Sequence, residues 1–140
     1  MLALHTTTPD SGVAAVWEGY GRLLDSGREP KEPGTGVLPK KIATGPRLSL
    51  DGGVWKYFLF GAGASDFVDG SWVSRAPWID THFEQSPTYL WPDDRAWTLH
   101  TNVDMDSSII DGSQELIDQL LQTPGIEALP LPADRFLVPL

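Results

Sequence analysis

The sequence predicts an α+β fold, in which a single domain has a mainly antiparallel sheet of short strands flanked by two helices. Short apolar segments separated by hairpin-type turns predict the sheet. Two stretches with helical spacing predict the helices, and no strand–helix–strand unit repeats as a parallel sheet would require. With 140 residues, the chain is long enough to bury one hydrophobic core, so we expect one domain over residues 1–140.

The first predicted element is a helix that begins near Pro9 and ends near Gly27. Thr8-Pro9-Asp10-Ser11 supplies capping oxygens and a proline of the kind that a first helical turn tolerates. The apolar residues that follow recur at three-to-four spacing and are Val13, Val16, Trp17, Tyr20, Leu23 and Leu24. Three prolines and two glycines then predict a loop over residues 28–39.

The period of the apolar residues changes after Lys40 to one typical of strands. Asp51-Gly52-Gly53 predicts a hairpin, because tight turns need residues that tolerate positive φ. The segment 54–60 ends in four consecutive apolar residues, which predicts a central strand covered on both faces. We expect a loop or short helix over 61–70. Two further strands are predicted, one over 71–78 that ends at Pro77 and one over 96–103 with alternating side chains.

The second predicted helix covers residues 113–122. Asp111 or Ser113 can cap it, and Thr123-Pro124-Gly125 ends it. Its apolar stripe consists of Leu116, Ile117, Leu120 and Leu121. Residues 126–140 contain three prolines and an excess of apolar residues, which predicts an edge strand or a strap over the core.

Negative charge is concentrated in the second part of the chain, whose overall net charge is −9. Residues 51–140 carry four Lys and Arg against fourteen Asp and Glu. Such a surface repels nucleic acid and anionic lipid and attracts a basic protein or cations, although charge also serves solubility. No apolar run has membrane length and the start lacks the basic character of a secretory signal, so we expect a cytoplasmic protein without membrane association.

The most distinctive local motif is Trp91-Pro92-Asp93-Asp94-Arg95-Ala96-Trp97, in which Arg95 is the only Lys or Arg of residues 89–121. Proline favours an extended Trp91 and so a rigid corner. One interpretation is that both indoles fill the core; the other is that the corner is exposed for binding. We predict a binding surface whose core is Trp91, Asp93, Asp94, Arg95, Asp104 and Asp106.

Metal and cofactor chemistry has little support in the sequence. Asp104, Asp106, Ser108 and Glu115 fall at calcium-ligand positions of an EF-hand loop, yet Ile109 replaces the glycine of its sharp turn. We therefore expect a strand-to-helix loop with capping aspartates and no bound metal. The absence of cysteine excludes disulfides and thiolate sites. The sequence has no dinucleotide-binding fingerprint and no P-loop lysine, and we expect no cofactor.

Catalysis could use His100 as a base with Asp104 or Asp106 beside it. No nucleophile elbow accompanies these residues. A hydrogen-bonded structural role for His100 is the competing interpretation. A small hydrolase is therefore an alternative hypothesis.

Part of the chain resembles a block found in small uncharacterised bacterial proteins. The block consists of Trp91 to Trp97, then Asp104-Met-Asp106, and then Gly112-Ser113 before a helix. The resemblance covers about a quarter of the chain. It implies a small stand-alone bacterial domain, a type found among accessory and toxin-immunity proteins. It implies no activity and no catalytic residues.

These patterns together lead us to expect a non-enzymatic, acidic protein-binding domain. An immunity or antitoxin-like protein that covers a basic partner, such as a toxin, has this charge and these aromatic anchors without any catalytic motif. A small ligand-binding module with a tryptophan-lined pocket is a second alternative, besides the hydrolase.

Overall fold

The computed structural model describes residues 1–80, 82 and 84–132. Six strands form one antiparallel sheet in the order β2-β3-β1-β4-β5-β6. The strands are β1 (Gly12–Trp17), β2 (Leu48–Leu50), β3 (Trp55–Gly61), β4 (Tyr89–Pro92), β5 (Trp97–Thr101) and β6 (Ser108–Gly112). The α-helices are α1 (Lys40–Ala43), α2 (Trp72–Arg75) and α3 (Gln114–Gln122). The predicted α+β class with an antiparallel sheet is therefore confirmed.

The prediction of a helix that begins near Pro9 is wrong, because the first half of that segment forms β1, one of the two central strands. Both faces of β1 carry apolar residues, so the alternation that identifies a strand is hidden and a helical spacing arises by coincidence. Gly21 has a φ of 54°, which no helix accommodates. Residues 18–39 form no helix or strand.

The predicted hairpin at Asp51-Gly52-Gly53 is confirmed, since β2 pairs antiparallel with β3. Asp51, Gly52 and Gly53 all have positive φ, so the glycines remove steric strain from this turn. The strand predicted over 54–60 is β3, but it lies next to the edge strand β2 instead of at the centre. It is not covered on both faces either, because Leu59 is 50% exposed.

Three further elements differ from the predictions. The strand expected over 71–78 is instead the single-turn helix α2, preceded by a turn in which the Ser71 amide donates to Asp69 Oδ1. The corner at Trp91-Pro92 begins as a strand, β4. The loop expected from 104 to 112 contains β6, whose β-branched Ile109 and Ile110 pair with β5.

The predicted helix over 113–122 is confirmed as α3, with Ser113 as its N-cap accepting from the Leu116 amide at 3.2 Å. Leu116 is fully buried and Leu120 packs partly against the core, whereas Leu121 is 40% exposed. A side chain at Gly112 would stand 2.9 Å from Leu116 Cδ2, so this glycine lets the helix approach the sheet closely.

The main core cluster lies on one face of the sheet, called here the core face, and Ala15 and Tyr57 are buried on the other face. The strand residues that belong to the cluster include Ala14, Val16, Phe58, Leu90 and Trp97. The antiparallel registers place all five on the same side. The remaining core residues come from loops and helices and are Leu23, Leu38, Ala43, Ala64, Trp78 and Leu116. The helices and loops therefore pack against this face.

A bidentate ion pair holds the long loop 18–39 to the segment after α2. Arg22 Nε and Nη2 donate to the two carboxylate oxygens of Asp80, each at 2.9 Å, and Asp80 is only 5% exposed. The guanidinium keeps the pKa of Asp80 well below its usual range. The predicted C-terminal strap or edge strand lies outside the described residues from 133 onward, and residues 126–132 form no helix or strand.

Candidate functional site

The structure divides the six predicted surface residues between the two ends of the sheet. Trp91 lies in β4, and Asp93, Asp94 and Arg95 form the turn into β5. Asp104 and Asp106 lie in the turn from β5 to β6. Because β5 runs between these turns for five residues, about 3.4 Å each, roughly 17 Å separates the two groups.

Asp94 ties the N-terminal segment to the sheet. Its carboxylate accepts from the Thr7 amide at 2.6 Å, from the hydroxyls of Thr6 and Thr7 at 2.8 Å, and from the Ala96 amide at 3.1 Å. The Thr7 amide in particular, with these other donors, lowers the pKa of Asp94 to about 2. The neighbouring Asp93 accepts from the Ser11 hydroxyl. Both carboxylates are therefore partly occupied by this segment.

The four candidate metal ligands do not form a site. Asp104 and Asp106 lie in the β5–β6 turn, Ser108 begins β6, and Glu115 lies beyond the strand in α3. Within the described part of the chain, no group of three or more His, Asp or Glu residues could hold a metal ion.

His100 lies in β5 and stacks on Tyr89, with ring centroids 4.3 Å apart and planes 8° from parallel. Burial lowers the pKa of His100 below its usual value. Its ring nitrogens make no hydrogen bond to Asp104, Asp106 or any other described residue. Among the described residues, His100 is thus not paired with the carboxylate of Asp104 or Asp106.

The second face of the sheet carries six aromatic side chains and is called here the aromatic face. The rings belong to Trp17, Trp55, Tyr57, Tyr89, Trp91 and His100. Registers such as Trp17 opposite Tyr57 and Tyr89 opposite His100 place these side chains on the side away from the core. None of them belongs to the core cluster of the described residues.

The rings of the aromatic face contact one another across the strands. Trp17 and Trp55 have centroids 5.4 Å apart at an angle of 58°, and Tyr57 meets Tyr89 edge-on at 5.4 Å. Tyr57 and Tyr89 belong to strands on either side of β1, where the small Ala15 leaves room for the two rings to meet. Such contacts fix the rings, so less side-chain entropy is lost when a partner binds.

Acidic residues border the aromatic face at the end that carries Trp17 and Trp55. The turn containing Asp51 lies on one side of this end, and the turn containing Asp104 and Asp106 lies on the other. Burial raises the pKa of Tyr57 to about 12, and the nearby Tyr89 and Asp51 add to this effect. Among the described strand residues on this face, none is Lys or Arg.

The aromatic face is partly open to solvent, since Leu59 is 50% exposed and five of the six rings are half-buried. Aromatic side chains are enriched at protein interfaces relative to the rest of the surface, so this face is a candidate interaction surface.

Compared with protein-family models, curated proteins and solved structures, the chain has no significant match to any of them. Among the described residues, no helix has the length and hydropathy needed to cross a membrane.

Of the six rings on the aromatic face, only Trp91 was among the residues predicted from the sequence to form a binding surface. Trp17 was assigned to a helix, and Trp55 and Tyr57 to a strand buried on both sides. The available signal was Gly19 and Gly21, whose low helix propensity argues against a helix through this stretch. The alternation of a strand is masked because both faces of β1 are apolar.

Proposed function

We propose that this chain is a non-enzymatic, acidic protein-binding domain that covers a basic partner protein with its aromatic face. The observation that supports this most strongly is the partly exposed sheet face, on which five of the six aromatic side chains are half-buried and Tyr57 is buried, with acidic turns at one end. Tyrosine and tryptophan are the side chains that most often dominate binding energy at interfaces. The surrounding acids select a partner that carries Lys and Arg.

The charges and rings act on the same partner groups. An arginine of the partner can lie over Trp17 or Trp55 as a cation–π contact while Asp51 neutralises its charge. A standard interface buries roughly 800 Å² on each side, so the partner would contact the flanking turns as well as the aromatic face. The biological form of this role is immunity or antitoxin-like neutralisation, in which covering the partner blocks its activity.

The test is to purify the partner that the chain retains from its native host and to measure its charge and its binding. We expect a partner with an isoelectric point above neutrality whose affinity falls as salt rises, because exposed charges are screened beyond about 10 Å at 0.1 M. Co-expression should protect host cells from the partner's toxicity.

A matched pair of variants locates the contact. Leu59→Lys places a positive charge on the aromatic face, whereas Val68→Lys places the same charge on a 76% exposed valine beside the core-face turn Ala64–Phe67. We expect Leu59→Lys to weaken binding at least tenfold and Val68→Lys to leave it unchanged. An acidic partner, or equal effects of both variants, would contradict the proposal.

A further inference from the structure

A small pocket lies at the opposite end of the aromatic face from Asp51. Its lining residues are Trp91, Arg95 and Thr98, and its volume is about 240 Å³. The β4–β5 register, with Leu90 opposite Leu99, places Trp91 and Thr98 side by side on the aromatic face. Arg95 reaches the pocket from the turn that joins the two strands.

The guanidinium of Arg95 makes no hydrogen bond or ion pair with any described residue. The acids next to it in sequence are already engaged, since Asp94 binds Thr6 and Thr7 and Asp93 binds Ser11. The pocket therefore offers three groups to a ligand. Arg95 supplies a planar pair of N–H donors whose charge is not neutralised, Trp91 supplies an apolar wall, and Thr98 supplies a hydroxyl.

The backbone at Arg95 has a φ of 55°, the left-handed conformation that glycine adopts most easily. The turn is closed by the Arg95 amide, which donates to the Pro92 carbonyl at 2.9 Å. Glycine would fit this turn at least as well as arginine, so the turn does not explain why an arginine occupies this position.

From these observations we propose that the pocket binds a small monocarboxylate attached to a flat apolar group. The carboxylate receives two parallel N–H donors from Arg95 and one hydroxyl from Thr98, while the apolar group lies against Trp91. Asp111 pairs with Thr98 on β6 and carries a carboxylate on the same face of the sheet. Its charge opposes a dianion more strongly than a monoanion, so a phosphate monoester should bind less well than a carboxylate.

The test titrates the ¹⁵N-labelled chain with benzoate at constant ionic strength and follows chemical shifts by NMR. We expect saturable shifts at the Trp91 indole and the Thr98 amide. Benzamide and phenyl phosphate should bind at least tenfold more weakly than benzoate. A peptide that ends in a phenylalanine carboxylate, with its C-terminal amide as the control, tests whether the natural ligand is a protein C-terminus. Tighter binding of this peptide than of benzoate would indicate a protein C-terminus, and tighter binding of benzoate would indicate a free metabolite.

Variants make the assignment specific. Arg95→Gln should reduce benzoate affinity at least tenfold, and Arg95→Lys, which keeps the charge but loses the planar fork, should reduce it severalfold. Arg28→Gln, the same change at an exposed arginine of the 28–39 loop, should have no effect. Equal binding of benzamide, unchanged affinity in a folded Arg95→Gln variant, or shifts that avoid Trp91 would overturn the proposal. Because no partner protein is present, this outcome is independent of the proposed function.

Discussion

Truncating one leucine on each face of the sheet tests whether the core lies on a single face. Leu90 in β4 points into the core and is 4% exposed, whereas Leu59 in β3 points to the aromatic face and is 50% exposed. Both are strand residues and both changes are Leu→Ala, so strand propensity and side-chain chemistry are matched. Only the burial differs.

The two substitutions should differ in the free energy of unfolding by about 2–3 kcal/mol. Leu→Ala removes about three carbon atoms, each contributing about 0.8 kcal/mol when buried. At Leu90 the whole contribution is lost and a cavity remains, which gives a loss of about 3–4 kcal/mol. At Leu59 about half of the contribution is lost and solvent fills the space, which gives about 1 kcal/mol.

Guanidinium denaturation followed by tryptophan fluorescence measures both values, and the slope of the transition should stay unchanged. In thermal unfolding, the Leu90→Ala variant should melt roughly 6–10 °C below the Leu59→Ala variant. A loss at Leu59 equal to that at Leu90 would mean that the aromatic face is as tightly covered as the core. The proposed docking surface would then be wrong.

Three further predictions concern α3 and the β4–β5 turn. Leu116→Ala should lower the free energy of unfolding by about 2–5 kcal/mol, because it leaves a core cavity. Leu121→Ala, at an exposed position, should lower it by less than about 1 kcal/mol. Equal losses in chemical denaturation would mean that the buried side of α3 is misassigned. Because the pKa of Asp94 is lowered to about 2 in the folded state, its stabilisation is present above pH 4 and is lost as the pH falls toward 2. Denaturation from pH 5 to pH 2 should therefore show a shallower decline for Asp94→Asn than for the wild type, and identical slopes would remove this role from Asp94. Arg95→Gly should leave thermal stability unchanged or raise it by up to about 1 kcal/mol, because glycine relieves the positive φ, and a clear loss would show that the arginine side chain supports the fold.

Local signals in the sequence identified the elements whose structure depends on adjacent residues. Asp51-Gly52-Gly53 defines its own turn, and Ser113 defines the start of α3 through a bond to the Leu116 amide three residues later. The strand β1 could not be identified in this way. Its apolar character on both sides results from its central place in the sheet, which depends on pairing with β3 and β4.

The candidate site was difficult to predict for the same reason. Trp17, Trp55, Tyr89 and His100 come from four different strands and meet only when the registers are known. The acid density of residues 89–121 predicted a single charged surface, but β5 separates the two acidic turns by its full length. Asp94 is an example, because its position in an acidic motif predicts a binding residue, whereas in the fold its carboxylate accepts hydrogen bonds from Thr7.

Oxidative footprinting of tryptophan side chains in the complex with the purified partner tests the central claim most directly. Trp17 and Trp55 lie on the aromatic face, while Trp72 in α2 packs against the core face and is also half-buried, so it serves as an internal control. Partner binding should slow the oxidation of Trp17 and Trp55 severalfold and leave that of Trp72 unchanged. Protection of Trp72 with no change at Trp17 and Trp55 would contradict the proposed docking surface.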